Sequence, residues 1–187
     1  FLNEVFSMFF KHKSTWEQVF HCLAEIECLC LFSEISNSKD KEDKPMTRPT
    51  FIDDSDEFVL EIRGMRHPCL DRRLENFVEN DIDFRPLDIE PGHITLLTGP
   101  NMGGKSTILR QTSLIIILAQ IGIYVPARHC SLSPADRIFT RIGASDRILE
   151  GKSTFYVEME ETKIVLSEAT RHSLAILDEL GRGTSTF

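Results

Sequence analysis

The chain lacks the long apolar run, the basic surplus and the paired cysteines that would each have committed it to a particular kind of protein. Its longest apolar run, Leu114 to Ala119, is far short of the roughly 20 residues that span a bilayer. No basic segment, apolar stretch and cleavage site follow one another at the N-terminus, so no secretory signal is read there. The five cysteines, Cys22, Cys28, Cys30, Cys69 and Cys130, include no pair of Cys-x-x-Cys knuckles. An odd count without a signal predicts reduced thiols in an intracellular protein, as small buried apolar residues rather than zinc ligands. The formal net charge is −8. A surface of that sign does not attract nucleic acid by itself, so any such contact is expected from other parts of a larger protein.

What is present is enough to fold. The chain has 187 residues, 41% of them hydrophobic, which suits one sizeable domain or one domain plus a piece of another and excludes a disordered tail. It does not open with Met, and its patterns run to both ends, so a fragment is expected. Between Ser14 and Ile35, Trp16, Val19, Phe20, Leu23, Ile26 and Cys30 recur at helical steps, with Ser14 or Thr15 as candidate cap. The apolar opening, Phe1 to Phe10, reads as the end of a preceding helix. Residues 37–49, NSKDKEDKPMTRP, are polar and cannot bury a face, so they read as a solvated linker.

Beyond the linker, short apolar runs alternate with helical patterns. Phe58 to Ile62, Ile94 to Leu97, Ile138 to Arg141 and Ser173 to Leu177 are expected strands, the second and last of them buried. Lys105 to about Ile121 is expected to be a buried helix. Tyr156 to Thr170 is expected to be an amphipathic one with Val157, Ile164, Val165 and Leu166 inward. The alternation predicts an α/β domain with a largely parallel sheet. The divisions are then 1–36, helical; 37–50, linker; 51–187, the α/β domain.

Gly99 to Ser106 reads GPNMGGKS, which satisfies the phosphate-loop pattern G-x-x-x-x-G-K-[ST]. Gly99 and Gly104 allow a tight bend and close approach of backbone to phosphate. The exposed N–H groups and the positive end of the following helix stabilise an anion. Lys105 is placed to reach the β- and γ-phosphates, and Ser106 to offer its hydroxyl to Mg²⁺. An apolar run before the loop and a helical pattern after it supply the context this motif requires.

Hydrolysis needs more: a carboxylate for Mg²⁺ and a group that orients or deprotonates water. The apolar run Ser173 to Leu177 ends on Asp178-Glu179, which can provide both. Asp178 is expected beside Ser106, and Glu179 beside the γ-phosphate. Two adjacent carboxylates, with no Asn-Lys-x-Asp guanine pattern in the sequence, favour an ATPase over a GTPase. These two motifs alone leave kinase-like enzymes open.

The stretch GPNMGGKST with Arg110-Gln111 resembles the MutS family more closely than phosphate-loop proteins at large. Further segments agree and fall in family order: FTRIGASD from Phe139, GKSTFYVE from Gly151 and DELGRGTSTF from Asp178. Arg66-His67-Pro68 and Phe77 to Ile82 extend the resemblance upstream. Within the family the chain is most similar to the eukaryotic mismatch-binding subunits, on Phe139 to Ile148, Met46 to Pro49 and the residues between Ile82 and Gly92.

The resemblance implies a truncated P-loop ATPase of ABC type, preceded by the helical end of a lever or core domain. It implies ATP and Mg²⁺ as cofactors, a MutS-type partner subunit in a heterodimer, mismatched double-stranded DNA held by other domains, a nuclear location and no membrane. ATP would be bound by Gly99, Pro100, Asn101, Met102, Gly103, Gly104, Lys105, Ser106 and Thr107, with Phe77 stacking on adenine. Ser106 and Asp178 would hold the metal, and Glu179 with Lys105 would be catalytic. Asn101 would help to position Mg²⁺ or water. The transporter signature Leu-Ser-Gly-Gly-Gln is absent, and Gly151 to Thr154 takes its place, so that Ser153 and Thr154 would touch nucleotide on the partner. Both could equally cap the helix that begins near Phe155, and Phe77 taken alone reads as core. His67 reads as a structural hydrogen-bonding residue and His172 as a surface one. Gly181 to Thr184 matches the segment that crosses between subunits. A nucleotide-binding module with little hydrolysis is the alternative, and Glu179 argues against it. The isolated chain is expected to be a poor ATPase.

Overall fold

The computed structural model describes residues 1–37, 44–53, 58–84, 94–142 and 154–181. The chain divides into two units, Phe1–Asp40 and Lys41–Phe187.

The first unit is helical throughout its described length: α1 spans Leu2–Lys11 and α2 spans Lys13–Ser36. The helical period was therefore read correctly, but the cap was not. The N-cap of α2 is His12 and makes no side-chain cap bond. Trp16 N already bonds to His12 O at 3.0 Å, which places Ser14 and Thr15 inside the first turn, where their hydroxyls cannot cap. The expected apolar face is also not a buried one, since neither helix has a buried residue. Phe9 and Trp16 stack across the break with ring centroids 5.6 Å apart.

The second unit is mixed α/β. Its larger sheet has the order β1-β4-β2-β3, from β1 Thr50–Phe51, β2 Leu60–Met65, β3 Asn80–Phe84 and β4 His129–Leu132. Strand β2 is antiparallel to both β3 and β4, and only β1 runs parallel to its neighbour. The smaller sheet pairs β5 Arg137–Arg141 with β6 Ser173–Leu177 in parallel, from Arg137 opposite Ser173 to Arg141 opposite Leu177. The expectation of a largely parallel sheet is thus corrected: among the described residues, parallel pairing is confined to β1–β4 and β5–β6. The β2–β3 register shifts between Ile62 and Met65, where Gly64 has φ 58°. A Cβ there would stand 2.7 Å from Arg128 Cγ and 2.9 Å from Glu79 Oε2, so this bulge admits only glycine.

Both sheets share one core with α3, Lys105–Gln120. Ile115, Ile116 and Ala119 of this helix pack with Leu60, Ile62, Cys130 and Leu132 of the larger sheet and Leu174 and Ile176 of the smaller. Burial pushes the Cys130 thiol up to about 12, so it is an inert core residue. The other four cysteines are exposed, contrary to the expectation of buried thiols, and three of them sit on the unburied α2.

Three further expectations are corrected. Ile94 to Leu97 forms no strand, and Ile94 is 98% exposed. Its backbone finds no strand edge among the described residues, and a run of four residues, three of them apolar, has no strand preference strong enough to act alone. Helix α4, Thr154–Glu168, buries Val157 and half-buries Val165 as expected but leaves Ile164 and Leu166 exposed. Its inward arc also carries Glu158 and Glu161. Finally, residues 44–49 are not a free solvated loop. Thr47 exchanges backbone bonds with Val125 at 2.8 and 2.9 Å, and Pro45 O accepts from Arg66 Nη2 at 2.7 Å. Among the described residues no helix is long and apolar enough to cross a membrane.

Candidate functional site

The glycine-rich segment forms a turn closed by Gly103 N donating to Pro100 O at 3.0 Å. A Cβ on Gly103 would lie 2.9 Å from that same oxygen, so the turn closes only on glycine. Gly104 follows as N-cap of α3 with φ 88°, a left-handed conformation, and its carbonyl accepts the first helical bond from Ile108 N at 3.0 Å. No side chain caps this helix end. Its first N–H groups and the helix dipole are therefore oriented toward whatever anion approaches the loop. The Lys105 ammonium folds over the loop, donating to Gly99 O at 2.7 Å and to Pro100 O at 3.0 Å.

Ser106, on the first turn of α3, donates from Oγ to Asp178 Oδ2 at 2.6 Å. Asp178 follows directly on β6, and its own N–H donates to Arg141 O at 2.7 Å, which continues the β5–β6 ladder by one step. The loop and the acidic pair, 72 residues apart in sequence, thus meet at one point. A hydroxyl and a carboxylate in contact form a hard-oxygen corner of the kind that takes Mg²⁺ together with phosphate oxygens. Among the described residues no three His, Cys, Asp or Glu side chains converge.

Two non-glycine residues have positive φ among the described residues, Met102 at 63° and Glu179 at 52°. One lies in the glycine-rich turn and the other immediately after Asp178. Such conformations are costly and cluster where geometry serves a purpose. Met102 is fully exposed and Glu179 is exposed beside the half-buried Asp178.

The remaining expected residues lie further out. Pro100 and Asn101 are exposed on the turn, and Thr107 is half-buried behind Ser106. Phe77 is half-buried between β2 and β3, in a segment held by ion pairs. Arg128 Nε lies 2.6 Å from Glu79 Oε2, and the buried Arg66 faces Asp71 at 3.3 Å and Glu79 at 3.5 Å. His67 Nδ1 accepts from Cys69 N and Leu70 N at 3.2 and 3.3 Å, the structural role expected of it. His172 is half-buried in the turn before β6. Ser153 lies outside the described residues, as do the side chain of Thr154 and residues 182–184.

The sequence reading missed Glu158 and Arg141, both buried and both bonded to the acidic turn. Helical period places Glu158 near Glu161, Thr162 and Val165, but a charged residue on a charged helix offers no sign that it faces inward.

Residues 95–187 match the family model MutS domain V. The chain is 44% identical over 193 residues to the DNA mismatch repair protein Msh6 of Gallus gallus, covering 100% of this chain and 14% of that protein. It is 43% identical over 194 residues to the protein of the same name from Homo sapiens, again 100% and 14%. It is 41% identical over 185 residues to the probable DNA mismatch repair protein Msh6 of Drosophila melanogaster, covering 99% and 15%. The chain belongs to the MutS family. It spans about one-seventh of the length of these relatives. The MutS match takes in the glycine-rich loop, α3, β5, α4 and the acidic pair, while β1, β2, β3 and Phe77 precede it.

Proposed function

We propose that this chain is the ATP-binding and ATP-hydrolysing module of a DNA mismatch-repair protein, a P-loop ATPase domain of ABC type that couples nucleotide state to movement of a clamp on mismatched DNA. The observation that carries the reading is the 2.6 Å bond between Ser106 Oγ and Asp178 Oδ2, because it joins the phosphate loop to the carboxylate that such hydrolysis requires. In this reading residues 1–36 end a preceding lever or core domain, 37–50 link it, and 51–187 form the ATPase domain.

Gly99 to Thr107 would wrap the phosphates, with the N-terminus of α3 supplying N–H groups and positive dipole. The Lys105 ammonium would exchange its two loop carbonyls for phosphate oxygens, a stronger charge-assisted bond. Ser106 and Asp178 would hold Mg²⁺, which when bound screens the charge on the phosphates. Glu179, exposed and held at positive φ, would orient water and take up its proton. Phe77 would stack on adenine, and Ser153 with Thr154 would meet nucleotide on a MutS-type partner subunit. A nuclear protein working as a heterodimer is the setting proposed.

The test uses the full-length protein with its candidate MutS partner. Lys105→Ala is expected to lose nucleotide binding and ATP-driven release from mismatched DNA. Glu179→Gln is expected to keep ATP binding and to lower turnover by roughly 10²- to 10⁴-fold, the usual worth of a positioned base. Nucleotide binding unaltered by Lys105→Ala would overturn the assignment of the loop. Turnover unaltered by Glu179→Gln would leave a binding module without this catalyst.

A further inference from the structure

One buried carboxylate has no place among these roles. Glu158 is 1% exposed on α4, and its Oε1 accepts the backbone N–H of Gly181, two residues beyond Glu179. A carboxylate withdrawn from water is costly unless it is bonded, and its bond to a backbone N–H is of the strong, charge-assisted kind. One turn further along the same face of α4, Glu161 Oε2 lies 3.0 Å from Arg141 Nε. Arg141 is 8% exposed, and its carbonyl accepts the Asp178 N–H at 2.7 Å. Helix α4 therefore grips the acidic turn on both sides, through Arg141 ahead of Asp178 and through Gly181 beyond Glu179. Between the two grips lies Glu179 at φ 52°. A non-glycine residue keeps such a conformation only when its surroundings over-determine it.

We propose that Glu158 is a positioning residue for ATP hydrolysis, holding Asp178 and Glu179 in their working arrangement through the Gly181 amide. The proposal rests on the ATPase reading above. Glu158 acts on the acidic turn through the Gly181 amide, so its loss is expected to displace the catalytic carboxylates while the phosphate loop stays intact. A misplacement of about 1 Å in a catalytic group is worth up to roughly 100-fold in rate.

The experiment measures kcat, KM for ATP and equilibrium ATP binding in the full-length protein with its partner subunit, for wild type, Glu158→Ala and Glu158→Gln. Glu158→Ala is expected to lower kcat roughly ten- to hundredfold at unchanged ATP affinity. Glu158→Gln, which keeps an oxygen acceptor at the same reach, is expected to recover most of that loss. In a Glu179→Gln background, Glu158→Ala is expected to cost little more, because both act through one group. Wild-type turnover in Glu158→Ala would overturn the proposal and leave the ATPase reading standing. Equal loss of ATP binding and turnover in both variants would also overturn it, since the carboxylate would then merely support the fold. So would losses that multiply in the double variant. Absence of turnover in the wild-type protein would instead remove the ATPase reading, and this proposal with it.

Discussion

His67 accepts two backbone N–H groups on one ring nitrogen, and that alone fixes its charge. Nδ1 can accept from Cys69 and Leu70 only while it carries no proton. Burial is the main cause that lowers its pKa from 6.5, and the nearby Arg110 lowers it further, against a backbone bond of the ring that raises it. A lowered folded pKa means that the unfolded chain binds the proton more readily. The stability that neutral His67 contributes is therefore fully present above pH 6.5 and is lost as pH falls through the folded value. Exchange of the Cys69 and Leu70 amides, corrected for intrinsic chemistry, is expected to quicken from pH 7.5 down to roughly pH 5, and in a His67→Gln variant to lose that dependence. Protection that stays flat over this range in the wild-type protein would contradict the assignment. At this scale the sequence was informative where chemistry constrains a residue's neighbours. Ser106 and Asp178 were paired in advance because Mg²⁺ demands both, whereas Glu158 and Arg141 serve the same turn through backbone atoms, which leave no mark in side-chain pattern.

Elements were legible in proportion to how local their causes are. Helices α2 and α3 were foreseen within a residue or so of their ends, because a helix satisfies its own backbone. Ile94 to Leu97 and Ser173 to Leu177 look alike in sequence, yet only the second is a strand, since β5 offers it an edge along all five residues. Burial is less local still. Trp16, Leu23 and Ile26 keep helical spacing on α2 but remain exposed, and the inward arc of α4 was partly misread because its carboxylates face in toward partners of their own. Helix α3 gives a sharp test of the burial pattern, for Ile116 is 0% exposed and its neighbour Ile117 is 45% exposed. Ile116→Ala is expected to cost about 2–5 kcal/mol in urea unfolding, and Ile117→Ala about 1 kcal/mol at most. Equal costs at the two positions would mean that α3 does not present this face to the sheets.

For the whole molecule, charge decides which contacts the chain can make. A net charge of −8 gives no general attraction for a phosphate backbone, and several of the basic groups are already paired. Arg63 faces Glu61, Asp81 and Asp83, Arg66 faces Asp71 and Glu79, Arg128 pairs with Glu79, and Arg137 with Glu168. Arg72 and Arg73 are an adjacent pair of exposed basic residues in the segment between β2 and β3. In the reading proposed here the unit acts on DNA only through other domains, and ATP is its own ligand. Replacing Arg72 and Arg73 with Gln in the full-length protein is therefore expected to leave unchanged the slope of log affinity for mismatched DNA against log salt. Each lost phosphate contact would reduce that slope by about one. A reduction of about two, with ATP binding intact, would put DNA on this unit and overturn the division of labour. An unchanged slope, alongside loss of ATP-driven release in Lys105→Ala, would separate the nucleotide engine from the DNA grip within one protein.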